Sequence, residues 1–141
     1  MTEAPARSRR EVAVAAALVL VPLAITVVVL AFRHWYPTGD LAQAELRLRS
    51  FPSHPPLVGA AGRIVSDAGV QGNHPGPAFF WAAYPFYLVL GRSAWASEAA
   101  VAILGAAWVT TALWLVRRVA GTAVMAGVAV TFAVLLGGYG L

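Results

Sequence analysis

The chain contains no cysteine and no lysine, and charged residues make up only 11% of its 141 residues. Without cysteine there can be neither a disulfide nor a thiolate metal site. The basic residues are all arginine and lie mainly at the ends of apolar runs. That placement is typical of anchoring at a membrane surface and disfavours nucleic acid as a partner. Hydrophobic residues make up 60% of the chain, the composition of a membrane protein.

Three long uncharged runs predict transmembrane helices. Residues 12–32 would form a helix about 31 Å long, enough to cross a hydrocarbon core of about 30 Å. This run follows a polar segment, residues 1–11, and exceeds the roughly 7–15 apolar residues of a signal peptide, which favours a retained span over a cleaved signal. Residues 99–116 and 119–141 predict the second and third spans, separated by a turn at residues 117–118. No charged residue lies within these runs, which disfavours a transporter or channel.

The arginines also predict the orientation of the spans. Arg7, Arg9 and Arg10 would lie on the same side as the Arg117–Arg118 turn, and that side is predicted to be cytoplasmic. Residues 33–98 would then form an extracytoplasmic loop. The predicted fold class is an all-α integral protein of the cell membrane, with about three transmembrane helices and short interfacial helices in the long first outer loop.

Two short helices are expected within that loop. Residues 41–49 predict one, with Asp40 as its N-cap and with Glu45 and Arg49 spaced for an ion pair across one turn. Residues 50–73 are rich in Pro, Gly and Ser and predict a loop with one short turn around residues 58–65. Residues 77–90 carry the densest aromatic cluster of the chain. Their apolar part would be about 20 Å long, too short to span, so we expect a helix lying in the membrane interface.

Four side chains of the loop are candidates for chemistry, and each also has a purely structural interpretation. Asp40 could act as a general base or metal ligand, or could only cap its helix. Glu45 could act as a second acid, or could only pair with Arg49. His54 and His74 each precede a proline that stiffens the backbone, so their rings could bind phosphate, coordinate a metal or relay a proton, or could be ordinary loop histidines. Their spacing matches no zinc signature.

The stretches GDLAQAELRLRSFPSHPPLVG and NHPGPAFFWAAYPFYLVLG resemble the first outer loop of C-type, multi-spanning glycosyltransferases. More narrowly, they resemble bacterial membrane enzymes related to protein mannosyltransferases and lipid A aminoarabinose transferases. The shared order is a spanning helix, an acidic motif, a His-Pro-Gly-Pro-like motif, an interfacial helix and the next span. The resemblance covers about residues 10–141. It departs from the family in that the two acids are five residues apart rather than adjacent, and in that His replaces Lys near the donor.

The resemblance implies an enzyme that moves a sugar from a polyprenyl-phosphate lipid donor to an extracytoplasmic acceptor. Asp40 and Glu45 would be its catalytic acids and would also be the ligands of a divalent cation, Mg²⁺ or Mn²⁺. His74, His54 and Arg47 would bind substrate, with His74 facing the donor phosphate.

Members of the family have more spanning helices than this chain. The resemblance therefore implies the amino-terminal part of such an enzyme, with a partner chain supplying further spans. The alternative is a non-catalytic small membrane protein, such as a helix-packing subunit or a degenerate remnant. That alternative rests on the small residues common in stretches 99–107 and 121–127, which favour close helix contacts.

Overall fold

A computed structural model describes residues 3–33, 35–65 and 71–139. This part of the chain consists of helices and one small hairpin, in the order α1 (Glu3–Phe32), α2 (Gly39–Ser50), β1 (Ala61–Val65), β2 (Gln71–Asn73), α3 (Pro77–Val89) and α4 (Ala94–Tyr139). The predicted helical architecture is confirmed, with the hairpin as an addition. The predictions that touch residues 1–2, His34, residues 66–70 and residues 140–141 lie outside the described residues.

Two helices are long and apolar enough to cross a membrane: α1 over Arg7–Phe32 and α4 over Ala94–Gly138. In the most apolar 18-residue stretch of each helix, only 17% of α1 and 11% of α4 is buried within the protein. The core helix of a soluble domain, in contrast, buries most of its apolar residues. Pro22 lies inside α1, where the hydroxyl of Thr26 donates a hydrogen bond of 3.0 Å to its carbonyl oxygen. Both helices therefore present apolar side chains outward, as a lipid environment requires.

Helix α4 folds back on itself at Gly121, whose φ of 86° and ψ of −178° form a backbone conformation that essentially only glycine adopts. In one straight helix, Val109 and Phe132 would be about 35 Å apart. Both nevertheless pack against one small buried cluster, so α4 must consist of two limbs, residues 94–120 and 122–139. The cluster is formed by Val12, Ala16, Leu113 and Met125. The predicted turn at residues 117–118 is wrong: both residues lie in the first limb, and the turn is at Gly121 because only glycine adopts this backbone conformation readily.

A carboxylate joins α1 to both limbs of α4. The Oε2 atom of Glu11 accepts hydrogen bonds from Nε of Arg117 at 2.7 Å and from the hydroxyl of Thr122 at 3.2 Å. The Nε atom of Arg7 donates to the other carboxylate oxygen at 3.2 Å. Arg117 and Thr122 flank the turn at Gly121, so this one acid fixes the amino-terminal part of α1 against that turn.

Local capping sets the boundaries around α3 and α4. Gly91, with φ of 94°, follows α3, and the backbone amides of Gly91 and Arg92 donate to carbonyls of the last turn at 3.3 and 3.0 Å. This is the Schellman arrangement, and it ends α3 where the sequence predicted. The hydroxyl of Ser93 then accepts a hydrogen bond of 3.2 Å from the amide of Ala96. Ser93 therefore caps α4, which begins five residues before the predicted span at residue 99.

The hairpin corrects the prediction for residues 58–65. Residues 61–65 form β1 rather than a turn, and they pair antiparallel with β2. The register is Ala61 opposite Asn73 and Val65 opposite Gln71, with an irregularity between the two pairs. A strand of three to five residues leaves too short an alternation for sequence to identify, because its stability comes from pairing with another segment of the chain.

Candidate substrate-binding site

Residues Arg33–Val101 form a compact unit of their own, and all the candidate side chains lie in it. Helix α2 and helix α3 pack against each other within this unit, and the hairpin lies between them in the chain. The buried residues of α2 are Glu45 and Leu48, and those of α3 are Phe80, Ala83 and Tyr87. These inward faces determine which side chains of α2 remain available to a ligand.

Glu45 belongs to the contact between the two helices. Its side chain is only 8% exposed, and its Oε1 atom lies 2.6 Å from a guanidinium nitrogen of Arg49. The hydroxyl of Tyr87 donates to the same oxygen at 3.4 Å. The predicted Glu45–Arg49 pair is thus confirmed, but it is completed by a tyrosine from α3 and is not the exposed pair that spacing alone suggests.

The buried network shifts the acid–base behaviour of its members. Burial raises the pKa of the Tyr87 phenol, since the charged phenolate would be poorly solvated between the helices. The hydrogen bond that Arg49 donates to Glu45 raises the pKa of the Arg49 guanidinium. The network therefore favours a neutral tyrosine and a paired carboxylate, which is the arrangement of a structural contact rather than of a proton-transfer site.

Asp40 lies on another part of α2. The prediction that Asp40 is the N-cap is wrong: α2 begins at Gly39, preceded by Thr38 in extended geometry, so Asp40 is already within the first turn. Asp40 is exposed and lies at the amino-terminal end of α2, where the helix macrodipole favours negative charge. Asp40 therefore lies on the exposed side of α2, away from the contact of Glu45 with α3.

Asp40 and Glu45 do not come together. Both lie inside one helix, where five residues subtend about 140°, and one is exposed whereas the other is buried against α3. The two carboxylates could have converged only if Asp40 lay half outside the helix as its N-cap, but Asp40 lies within the first turn. Across the residues that the structure describes, no group of three or more His, Asp or Glu side chains is arranged to hold a metal ion. The two acids therefore do not fit the divalent cation that the family resemblance implies.

His74 is held in place by the backbone of Ala60. The amide of His74 donates to the Ala60 carbonyl at 2.8 Å, and the amide of Ala60 donates to the carbonyl of Pro75 at 3.2 Å. Ala60 is itself buried, at 5% exposure. These two hydrogen bonds continue the pairing of β1 with β2 by one residue. The His-Pro segment thus has a fixed backbone while the His74 residue remains exposed.

A groove runs between α2 and the Ala60 segment. It has a volume of about 390 Å³ and is lined by Gln43, Leu46, Arg47, Ser50 and Ala60. Arg47 supplies a guanidinium, whose planar set of donors suits phosphate and carboxylate oxygens. Because Ala60 also anchors His74, the groove brings the arginine of the first motif next to the backbone of the second. The groove thus joins Arg47 of α2 to the segment that carries His74.

Gln43 and Ser50 were not recognised from sequence as residues of this groove. Gln43, Arg47 and Ser50 follow the spacing i, i+4, i+7, which places them on one face of a helix. That polar stripe was a usable signal. It differs from the face of Glu45 and Leu48, which packs inward. Hence the periodicity of α2 separates a ligand-accessible face from a packing face, although the sequence does not say which is which.

His54 is positioned by a different set of contacts. Its amide donates to the carbonyl of Ser50 at 2.8 Å, and its Nδ1 atom lies 3.0 Å from the Ser53 hydroxyl. The preceding Phe51 is buried, stacked on Tyr84 at a centroid distance of 4.1 Å and packed edge-on against Trp81 at 4.8 Å. His54 is therefore an exposed residue on a turn that the aromatic contacts secure to α3. Its backbone contact is with Ser50, a residue of the groove that Arg47 lines, and its ring contact is with Ser53.

A second anchor fixes the proline-rich segment that follows. The indole nitrogen of Trp81 donates to the carbonyl of Pro56 at 3.1 Å. The aromatic pairs that Phe51 forms with Trp81 and Tyr84 each contribute about 0.5–1.5 kcal/mol beyond the area that they bury. Aromatic residues of α3 thus hold the loop after α2 in place by packing inside the unit. This packing is a role that the predicted contact with a membrane interface does not include.

Comparison of the chain with family models, with curated proteins and with solved structures finds no match to any of them.

Proposed function

We propose that the chain forms part of a membrane glycosyltransferase that moves a sugar from a polyprenyl-phosphate donor to an extracytoplasmic acceptor. The observation that carries this proposal is the groove in which Arg47 lies beside the segment that anchors His74. A guanidinium in the groove and a histidine on the segment that borders it are residue types that suit the phosphate of a lipid-linked sugar. The unit that contains them lies in the chain between two helices apolar enough to cross a membrane, where a polyprenyl chain would dissolve.

The proposed reaction needs a base, a departing phosphate and cationic groups to stabilise it. An acceptor hydroxyl attacks the anomeric carbon of the sugar, and the bond from that carbon to the phosphate oxygen breaks with inversion of configuration. Asp40 takes the proton of the hydroxyl, and the polyprenyl phosphate leaves with the bonding electrons. Arg47 and His74 hydrogen-bond the phosphate oxygens as negative charge develops on them. Glu45 takes no part, because its carboxylate is buried against Tyr87.

The membrane arrangement is part of the same proposal. We assign three crossings, one by α1 and one by each limb of α4, with residues 33–93 outside the cell membrane and the amino terminus in the cytoplasm. The contact of Glu11 with Arg117 supports this topology, since it puts the amino-terminal arginines near Arg117 and Arg118, which lie just before the turn at Gly121. Arginine at both positions then follows the preference for positive charge on the cytoplasmic side.

The catalytic role is tested with Asp40→Asn in membranes of the producing cells, so that any partner chain is present. Transfer of labelled sugar from a polyprenyl-phosphate donor should fall about 100-fold or more, the usual contribution of a general base. Donor binding should be retained, because the substitution leaves the phosphate groove intact. Unchanged transfer would remove Asp40 from the mechanism and leave a non-catalytic membrane subunit as the better interpretation.

The phosphate-binding role is tested with Arg47→Gln against Arg49→Gln. Both substitutions remove one guanidinium from α2, but only Arg47 lines the groove. Arg47→Gln should raise the KM for the donor about tenfold or more, because a hydrogen-bonded charge pair contributes about 1.5–3 kcal/mol. Arg49→Gln should affect the packing of α2 on α3 instead. Equal effects of the two variants on KM would argue against a phosphate site in this groove.

A further inference from the structure

A second groove lies in the other compact unit, between α1 and the second limb of α4. Its volume is about 630 Å³, and it extends along α1 from Arg7 to Val19. Most of its lining is apolar, and several wall positions are alanine, including Ala126 and Ala133. Small side chains at these positions leave space between the helices where larger ones would fill it. This groove belongs to neither the Arg47 site nor the chemistry proposed for it.

One end of this groove is polar and carries positive charge. Arg7, Arg10, Glu11 and Thr122 lie there, and the rest of the lining beyond them is apolar. The charge of Glu11 is already compensated by Arg117 at 2.7 Å, in addition to its contact with Arg7. Arg10 adds a further cation to the mouth of the groove. A ligand that matches this surface has an anionic head and an apolar tail.

The dimensions favour a hydrocarbon chain over a further protein helix. From Arg7 to Val19 the groove is about 18 Å long, slightly more than one leaflet of a hydrocarbon core about 30 Å thick. A helix of that length with its side chains is at least about 10 Å wide and would occupy roughly 1,400 Å³. That exceeds even the whole empty space of the groove, about 1,200 Å³ with its open side included. One extended acyl chain needs much less width.

We propose that this groove binds an anionic phospholipid, with one acyl chain between α1 and the second limb of α4 and with the phosphate at Arg10 and Arg7. The lipid would belong to the leaflet at the amino-terminal end of α1. The site is separate from the proposed sugar transfer, since it uses different residues and needs no donor sugar. It depends only on insertion of these helices into a bilayer.

The charge requirement can be tested with two adjacent arginines. Arg10 lines this groove, whereas Arg9 lines a different surface with Trp114. The full chain, purified in neutral detergent, is titrated with phosphatidylglycerol or with phosphatidylcholine of the same acyl chains, and bound lipid is counted by native mass spectrometry. Phosphatidylglycerol should bind more tightly. Arg10→Gln should weaken its binding about fivefold, the usual effect of one cation near a lipid head group, and Arg9→Gln less than twofold. Equal binding of the two lipids, or equal effects of the two variants, would overturn the proposal.

The requirement for an acyl chain is tested by filling the groove. Ala126→Phe places a ring within it, and Ala123→Phe places the same ring at an exposed position of the same limb that is not part of the lining. Only Ala126→Phe should abolish saturable binding of phosphatidylglycerol; Ala133→Phe gives a second filling variant if Ala126→Phe lowers helicity measured by circular dichroism. Glycerol phosphate, which has the head group but no chain, should not compete. Competition by glycerol phosphate, or binding undiminished by both filling variants, would show attraction to surface charge and overturn the proposal.

Discussion

Substituting Glu45 by Gln separates a structural role of this acid from the catalytic role that the family resemblance implies. Gln keeps the size of the side chain and one oxygen that can accept from Tyr87, but removes the charge that binds Arg49. The structure predicts a loss of stability at the contact of α2 with α3, with sugar transfer retained. A catalytic acid would behave in the opposite way, with transfer lost and stability unchanged.

The expected size of the effect follows from the contacts. The partner arginine is 58% exposed, so solvent screens the ion pair, and such pairs contribute only about 0.2–1 kcal/mol. The hydrogen bond from Tyr87 is long at 3.4 Å, but its donor is fully buried, and a weakened bond to a buried group costs about 1 kcal/mol. Together we expect about 1–2 kcal/mol, or roughly a tenfold increase in the opening of α2.

Hydrogen exchange measured on the full chain in detergent reports this opening directly, since amides in α2 and α3 exchange when the contact is broken. Glu45→Gln should speed their exchange about tenfold, and Tyr87→Phe should do so by a smaller factor that is not additive with it. Tyr84→Phe is the matched control, because it removes a hydroxyl from the same helix without touching Glu45. Exchange unchanged in Glu45→Gln, together with transfer reduced 100-fold, would refute the structural role.

Other consequences of the structure can be measured separately. Burial raises the pKa of Tyr87, so the phenol of the unfolded chain loses its proton first as the pH rises above about 10. The free energy of unfolding should therefore fall with increasing pH there, and Tyr87→Phe should flatten this fall in an alkaline unfolding titration monitored by hydrogen exchange. Gly121→Ala should cost about 1–3 kcal/mol in thermal unfolding because its φ of 86° is strained for any other residue, whereas Gly127→Ala, within a regular helix, should be neutral or stabilising by up to about 1 kcal/mol. In this cysteine-free chain, Ser53→Cys should react with an impermeant thiol reagent in intact cells and Ser8→Cys only after permeabilisation; the reverse pattern would contradict the proposed topology.

Much of the helical framework follows from short-range information. Three uncharged apolar runs mark α1 and the two limbs of α4, because a helix that exposes such residues needs an apolar surrounding. The pairing of Glu45 with Arg49 and the end of α3 before Gly91 depend on contacts within five residues, so sequence patterns identify them. By the same reasoning, the start of α4 directly after Ser93 can be predicted from sequence, since a serine before an apolar run is a common N-cap.

The composition and periodicity of the chain determined that it is helical, that it has three apolar runs long enough to cross a membrane, and that its polar residues are concentrated between the first two. Only the tertiary structure decided which face of α2 is buried, so that Glu45 packs against α3 whereas Arg47 lines a groove. That choice depends on Tyr87, which lies 42 residues further along the chain. The fold-back at Gly121 and the contact of Glu11 with Arg117, across 106 residues, likewise depend on packing between remote segments. Exposure is set by what packs against a face, and local sequence does not encode that partner.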